Sequence, residues 1–277
     1  MKNLSTRFTR RTIVAAALGS AALLIGGPLL ANHAWSTYHW SRTTSQITPP
    51  VGDNVSSQWD SYVQTAVADW NQSIYIQSPL VAGQSNPRNC RPKAGRIEVC
   101  NSTYGNTGWL GIAQIWTSGR SHIVQATARM NDFYFNDPPY NTDAWRQLVI
   151  CQEVAHDFGL DHQDENFNNP NLGTCMDYTA DPGGPPSNEH PNQHDYDQLE
   201  SIYSHLDGSG GGPGGGGGRG RGGVPPDVFP LSPQGVARGL SNNPAQWGTL
   251  IRSNGRAALY DLDLGNDNHV FTFVIRP

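Results

Sequence analysis

The sequence predicts an α+β fold, because helical and strand-like patterns of apolar residues both occur between residues 33 and 206. Apolar residues recur every three or four positions over 55–70, which is typical of an amphipathic helix that packs against a sheet. Apolar and polar residues alternate over 110–116 and 122–130, as they do in half-exposed strands. Two further helices are predicted, over 144–158 and over 192–205.

The chain begins with the pattern of an export signal. Four basic residues precede an apolar run over 13–25, and a Gly-Gly-Pro sequence ends that run. This order is typical of a signal peptide, and residues 9–14 resemble the twin-arginine type that bacteria use. We therefore predict that residues 1–31 are an export signal and that the mature protein is secreted. The apolar run is short for a membrane span, so no stable span is expected after its removal.

The mature chain is acidic. The whole sequence has a formal charge of −5, and residues 1–31 carry four basic and no acidic side chains, so their removal changes the charge to −9 (−5 − 4). Nucleic acids attract basic surfaces, and an acidic exported protein is therefore not expected to bind them. The charge favours solubility instead.

Short strands and a capped helix make up the rest of the first domain. Strands are predicted over 35–42, 74–76, 96–100, 111–116 and 123–130. Thr142 or Asp143 can cap the helix over 144–158, because either side chain can accept a hydrogen bond from the first turn. His122, at the start of a predicted strand, is expected on the surface.

The end of the chain has a different composition. Residues 208–223 are almost all glycine, which predicts a flexible linker. Strand-like runs follow over 248–252, 257–262 and 270–275, with turn sequences between them. Residues 224–277 are therefore predicted to form a small antiparallel β segment. Three strands are few for independent stability, so the segment is expected to dock either on the first domain or on a partner.

One stretch carries most of the functional information. Gln152 and His156 are four positions apart on the helix predicted over 144–158, so their side chains lie on one face, with Glu153 on its edge. Gly159 allows a left-handed turn that ends the helix, and the chain can then bring His162 back towards the same point. Two imidazoles and a carboxylate that converge in this way are typical of a zinc hydrolase site.

The stretch resembles the signature H-E-x-x-H-x-x-G-x-x-H of the metzincin zinc metallopeptidases, the clan of the matrixins, astacins and serralysins. Gln152 stands where the family has its first histidine. The sequence Cys175-Met176-Asp177-Tyr178 resembles the Met-turn of the same family. The resemblance implies that residues 32–207 form one metallopeptidase domain. Its expected parts are a twisted, mostly parallel sheet, a backing helix, the active-site helix and a C-terminal helix.

The resemblance also implies roles for individual residues in a secreted endopeptidase that acts on peptides or proteins. Zinc would be held by His156, His162 and Gln152, with Met176 beneath the metal. Glu153 would act as the general base, and Tyr178 would assist the metal site and the developing oxyanion. By the same analogy, residues 125–128 would form a strand edge along which a peptide substrate lies.

Four cysteines in an exported chain predict two disulfides, for which three pairings are possible. Cys90 and Cys100 would close a short loop. The pairing of Cys151 with Cys175 is preferred, because it would fasten the active-site helix to the Met-turn that the resemblance implies.

Other hypotheses remain open at this point. Gln152 favours a catalytically impaired binding module that keeps the fold without tight zinc, because an amide oxygen is a weak zinc ligand. A structural surface protein would account for the glycine linker alone. His190 and His194 could supply a missing imidazole ligand. The loop over 163–171 is dense in oxygen donors, so it either binds calcium or is a solvated loop.

Overall fold

The computed structural model describes residues 38–119, 121–208 and 241–277. The predicted export signal and nearly all of the glycine linker lie outside the described residues. The strands are β1 His39–Trp40, β2 Val51–Asn54, β3 Leu80–Ala82, β4 Ile97–Ser102, β5 Gly111–Ser118, β6 His122–Asn131, β7 Thr249–Ser253, β8 Ala257–Gly265 and β9 Asn268–Ile275. The helices are α1 Asp60–Trp70, α2 Asp132–Phe135, α3 Asp143–Asp157 and α4 Gln193–Tyr203.

The fold is α+β, as the sequence predicts, and its strands form one mixed sheet. The strand order is β3-β2-β4-β6-β5-β9-β8-β7, with β1 paired to the beginning of β6. The pairs among β1, β2, β3, β4 and β6 are parallel, whereas β5, β7, β8 and β9 add to the sheet in antiparallel fashion. The central sheet is therefore mostly parallel, and its antiparallel part lies on the β5 side.

Helices α1 and α3 pack together beside the sheet, where apolar residues from both fill the main core. Trp70 at the end of α1 donates its indole N–H to the carbonyl oxygen of Cys151 at 3.1 Å. Thr142 caps α3, since its hydroxyl accepts from the backbone N–H of Trp145 at 3.3 Å. Asn192 caps α4 in a capping box with Asp195. The caps fix where both helices begin.

Several predicted boundaries differ from the structure. Helix α1 begins at Asp60 rather than at residue 55, and residues 74–76 do not form a strand. The strands β2 and β3 were not predicted. Strand β2 is buried along nearly its whole length, so it lacks the alternation that identifies a half-exposed strand. None of the helices in the described ranges is long and apolar enough to cross a membrane.

The strand edge expected at residues 125–128 is wrong. These residues lie in β6, which pairs with β4 on one side and with β5 on the other. The strand itself, which the sequence pattern predicts, is confirmed. The edge position was implied only by the resemblance to metzincins, and the order of strands contradicts it. The next strand outward is β5, and its outer side pairs with β9 over the whole of Gly111 to Thr117.

The C-terminal strands are antiparallel to one another, as predicted, and they continue the main sheet. Phe271, Phe273 and Ile275 of β9 enter the main core. The other faces of β8 and β9 form a second core with Trp109 and Trp247. The sequence left open whether this segment docks on the first domain or on a partner. The structure shows it docked on the first domain, as part of the same sheet.

Both predicted disulfides are confirmed. Cys90 is bonded to Cys100, and Cys151 is bonded to Cys175. The second disulfide fastens α3 to the segment that contains Met176. Two disulfides indicate an oxidising, extracellular environment.

Candidate metal centre

The end of α3 brings two imidazoles together. Gly159 has φ +92°, a conformation that side chains other than glycine rarely adopt, and a Cβ there would lie 2.4 Å from the carbonyl oxygen of Tyr38. Hydrogen bonds from Gly159 N to His156 O at 2.9 Å and from Leu160 N to Ala155 O at 3.2 Å close the helix. The chain then turns back, so that the Nε2 atoms of His156 and His162 lie 2.9 Å apart.

The hydrogen bonds of the two rings determine which nitrogens carry protons. His156 Nδ1 lies 2.8 Å from the carbonyl oxygen of Leu160, and His162 Nδ1 lies 2.9 Å from Glu165 Oε1. A carbonyl and a carboxylate only accept hydrogen bonds, so each Nδ1 carries the proton. In the neutral rings both Nε2 atoms therefore present lone pairs to each other. A cation between the two nitrogens would remove the repulsion between these lone pairs. Metal-ligating histidines are usually oriented in the same way, with one ring nitrogen hydrogen-bonded and the other facing the metal.

Three buried oxygen atoms of the predicted site have no hydrogen-bond partner among the described residues. They are Gln152 Oε1, Glu153 Oε2 and the hydroxyl of Tyr178. The amide nitrogen of Gln152 donates to the carbonyl oxygen of Cys175 at 3.0 Å, which fixes the identity of the two amide atoms. Buried polar atoms normally have partners, so this donor set fits a metal ion and a bound substrate.

Glu153 lies against the first residues of β5. A Cβ at Gly111 would approach Glu153 Oε1 to 2.5 Å and Val149 Cγ1 to 2.6 Å, so only glycine allows this contact. Burial raises the pKa of Glu153 well above its usual range, and the positive charge of Arg129 and a hydrogen bond from the backbone N–H of Ala113 act in the opposite direction. Burial and the neighbouring His162 lower the pKa of His156.

The segment that contains Met176 lies directly under the histidine turn. Gln163 N donates to Met176 O at 2.6 Å, and Tyr178 N donates to Asp164 O at 3.0 Å. The ring of Tyr178 packs against the ring of His162, with centroids 4.5 Å apart. Met176 and Tyr178 are both buried. The segment that contains Met176 thus supports the position of His162.

A cation from β7 reaches the same group of residues. Arg252 forms salt bridges with Asp161 and Glu165, and Arg252 Nη1 lies 2.7 Å from Asp161 Oδ2. Burial acts to raise the pKa of Asp161, but the hydrogen bonds from Arg252 and the charge interactions with His162 and Arg252 together outweigh it, so that pKa is lowered. Burial also acts to raise the pKa of Glu165, but the hydrogen bond from His162 and the charge interactions with His162 and Arg252 together lower it. Both carboxylates are therefore ionised beside His162.

The site is covered in this structure. Phe273 of β9 stacks on the ring of His156, with centroids 4.1 Å apart and an interplanar angle of 12°. The exposed fractions are 0% for Gln152, 1% for Glu153, His156 and Tyr178, and 8% for His162. A peptide cannot reach side chains that are this buried, so access requires β9 to move.

The structure adds residues that the sequence analysis missed: Gly111, Glu165, Arg252 and Phe273. Only Glu165 had a local signal, since it follows His162 by three positions. The other three come from strands distant in sequence, and their place depends on the order of strands in the sheet.

The sequence also suggested metal ligands outside the histidine turn: His190, His194 and the loop over 163–171. His190 lies on the surface, where its Nδ1 is 2.7 Å from Asp69 Oδ2, so it does not supply the missing ligand. His194 lies in the first turn of α4. In the loop over 163–171, the two carboxylate oxygens of Asp164 accept hydrogen bonds from Asn166 and Asn169. Asn169 Oδ1 is buried and has no hydrogen-bond partner among the described residues, so the calcium hypothesis stays a prediction.

Searches of protein-family models and of curated proteins give no match to this sequence. The likeness to metzincins therefore depends on the motif residues and on their arrangement.

Proposed function

We propose that this protein is a secreted zinc-dependent endopeptidase of the metzincin type. One observation carries the proposal: the buried Nε2 atoms of His156 and His162 face each other at 2.9 Å, and both rings are oriented through Nδ1. The partnerless oxygens of Gln152, Glu153 and Tyr178 support it. The donor set combines imidazoles with an amide oxygen, and imidazole is a good ligand for zinc.

Each residue has a role that its contacts support. His156 and His162 would hold the ion, and Leu160 O and Glu165 would keep their rings in the ligating tautomer. A bound zinc ion would supply a Lewis acid that polarises the scissile carbonyl and lowers the pKa of water. Glu153 would accept the proton of the attacking water and pass it to the leaving amine. The hydroxyl of Tyr178 would donate to the oxygen of the scissile carbonyl as it gains charge.

The substrate would bind by strand addition. Strand β5 runs beside Glu153, and its outer edge pairs with β9 in antiparallel register, with Ala113 opposite Phe273. A peptide that added to β5 would take the place of β9 and pass directly over Glu153 and His156. We therefore propose that β7, β8 and β9, here called the cover, occupy the substrate position and must leave it before cleavage.

A second candidate function is a binding module without hydrolysis. Gln152 favours this function, because a weak third ligand lowers zinc affinity. The burial of the site favours it as well, because a substrate cannot reach covered side chains.

Metal analysis of the full mature chain, residues 32–277, separates the two functions. Wild-type protein purified with zinc should contain one more zinc ion per chain than the His156→Ala variant, because that substitution removes a ligand. Hydrolysis of a mixture of short peptides, followed by mass spectrometry, should stop when a chelator removes this zinc and resume when zinc is restored. Equal zinc content in wild type and His156→Ala would exclude His156 as a ligand and favour the binding module.

A further inference from the structure

A second group of histidines lies elsewhere in the domain. His39 belongs to β1, His122 begins β6, and His205 and Asp207 follow the end of α4. Asp207 Oδ1 lies 3.2 Å from His39 Nε2, 3.2 Å from His122 Nε2 and 3.4 Å from His205 Nε2. The Nε2 atoms of His39 and His205 are 3.2 Å apart. Three segments distant in sequence thus bring four potential ligands to one place.

The three contacts to Asp207 Oδ1 lie at the long end of the hydrogen-bond range. Simple histidine–carboxylate pairs in the same protein are shorter, at 2.7 Å for His190 with Asp69 and 2.8 Å for His269 with Asp261. A carboxylate oxygen has two lone pairs, and Asp207 Oδ1 faces three imidazole nitrogens. The longer distances match the ligand separation around tetrahedral zinc, which is about 3.3 Å for bonds of about 2.0–2.1 Å. The Nε2 atoms of His156 and His162, at 2.9 Å, would have to move slightly apart to bind one ion.

We propose that His39, His205 and Asp207 form a second metal site, which takes a divalent transition metal such as zinc. These three ligand atoms are mutually 3.2–3.4 Å apart, as on one face of a tetrahedron, and the fourth position is left for water. Two imidazoles and one carboxylate favour zinc over calcium or magnesium, which prefer oxygen ligands. His122 contacts Asp207 without joining the ligand triangle, so it is a positioning residue.

The surroundings hold the ligands in place without the metal. The backbone N–H of Arg42 donates to Asp207 Oδ2 at 2.6 Å, and the Arg42 guanidinium donates to the carbonyl oxygens of Ser204 and His205. The side chain of His39 is only 8% exposed, whereas that of His205 is 50% exposed. The site is therefore preformed on one side and open to solvent on the other.

A metal here would fasten the first strand of the domain to the end of its last helix. Trp40, next to His39, donates its indole N–H to the carbonyl oxygen of Asp157 at 2.8 Å. Tyr203, two residues before His205, donates its hydroxyl to the carbonyl oxygen of Phe158 at 2.9 Å. Both contacts hold the end of α3, so the second site would stabilise the helix end that positions His156. Its metal binding does not depend on the proposed peptidase activity.

The test counts zinc in the full mature chain with the first site removed. In a His156→Ala background, one zinc ion per chain should remain and should raise the melting temperature. His205→Ala should remove this zinc and the thermal shift, since it deletes a ligand from a half-exposed position. His122→Ala should lower the affinity by about tenfold, because it removes only a contact to a ligand.

His190→Ala is the matched control, because His190 is a half-exposed histidine paired with a single carboxylate. It should leave zinc content and the thermal shift unchanged. If His205→Ala binds zinc as well as His190→Ala does, the cluster is a hydrogen-bonded group and the proposal is overturned. Absence of zinc from the His156→Ala background at micromolar zinc would overturn it as well.

Discussion

Arg252→Glu is expected to raise the rate of peptide hydrolysis by about tenfold. The substitution replaces attraction between the cover and Asp161 and Glu165 by repulsion. Hydrogen bonds to charged groups contribute about 1.5–3 kcal/mol each, and the lower end applies because the Arg252 side chain is 37% exposed. A loss of about 1.4 kcal/mol raises the population of the open form tenfold. Initial rates on short peptides and hydrogen exchange of the β9 amides measure the two effects.

Two variants control for side effects of the new charge. Arg276→Glu makes the same change in the same segment, but the guanidinium of Arg276 bonds to Tyr260 within the cover, so the rate should stay at the wild-type value. Arg252→Lys retains the positive charge and should remain close to wild type. Faster exchange of the β9 amides without any increase in hydrolysis would show that the cover does not limit access. Zinc content should be equal in all three variants.

The position of β9 explains why the cover is expected to limit activity. Ala113 pairs with Phe273 on its outer side, and the carboxylate of Glu153 accepts from the backbone of Ala113 on the helix side. A strand in the β9 position therefore lies beside Glu153 and, through Phe273, against the ring of His156. The cover also packs into two cores, so it is an integrated part of the sheet whose departure has a substantial free-energy cost. We expect this cost to restrain the proposed peptide cleavage.

The parts that could be predicted from the sequence depend on local spacing. The meeting of His156 and His162 follows from one helical turn, a glycine in a left-handed conformation and three further residues. The cap at Thr142 and the preferred cysteine pairing likewise involve elements that are close in the chain or that share a motif. Local geometry is fixed by a few dihedral angles, so a pattern of residues is enough to indicate it.

The parts that could not be predicted depend on the order of strands. Residues 125–128 alternate as a half-exposed strand does, and the resemblance to metzincins implied an edge position, although neighbouring strands flank them on both sides. Arg252 and Phe273 reach the candidate metal centre only because β9 pairs with β5 across the sheet. The cluster around Asp207 likewise joins β1, β6 and the end of α4. Such contacts join distant segments, and no periodicity within one segment encodes them.

Gln152→His is expected to raise zinc affinity by at least about tenfold, since imidazole is a much better zinc ligand than an amide oxygen. Gln152 donates its amide N–H to the carbonyl oxygen of Cys175 at 3.0 Å. An imidazole at this position can donate one ring N–H to the same carbonyl and present its other nitrogen to the metal. The Nδ1 of His156 already bonds to the carbonyl oxygen of Leu160 in this way, so the substitution requires no change in the surrounding backbone. Peptidase activity should rise with zinc occupancy.

Glu153→Gln in the Gln152→His background tests the mechanism separately from metal binding. It removes the proton acceptor but no metal ligand, so the zinc content should persist while turnover falls by about 10²–10⁴-fold. Zinc competition titrations and peptide hydrolysis measure the two quantities on the same samples. Unchanged zinc affinity in Gln152→His would mean that position 152 does not face the metal. Turnover that survives Glu153→Gln would place the general base elsewhere.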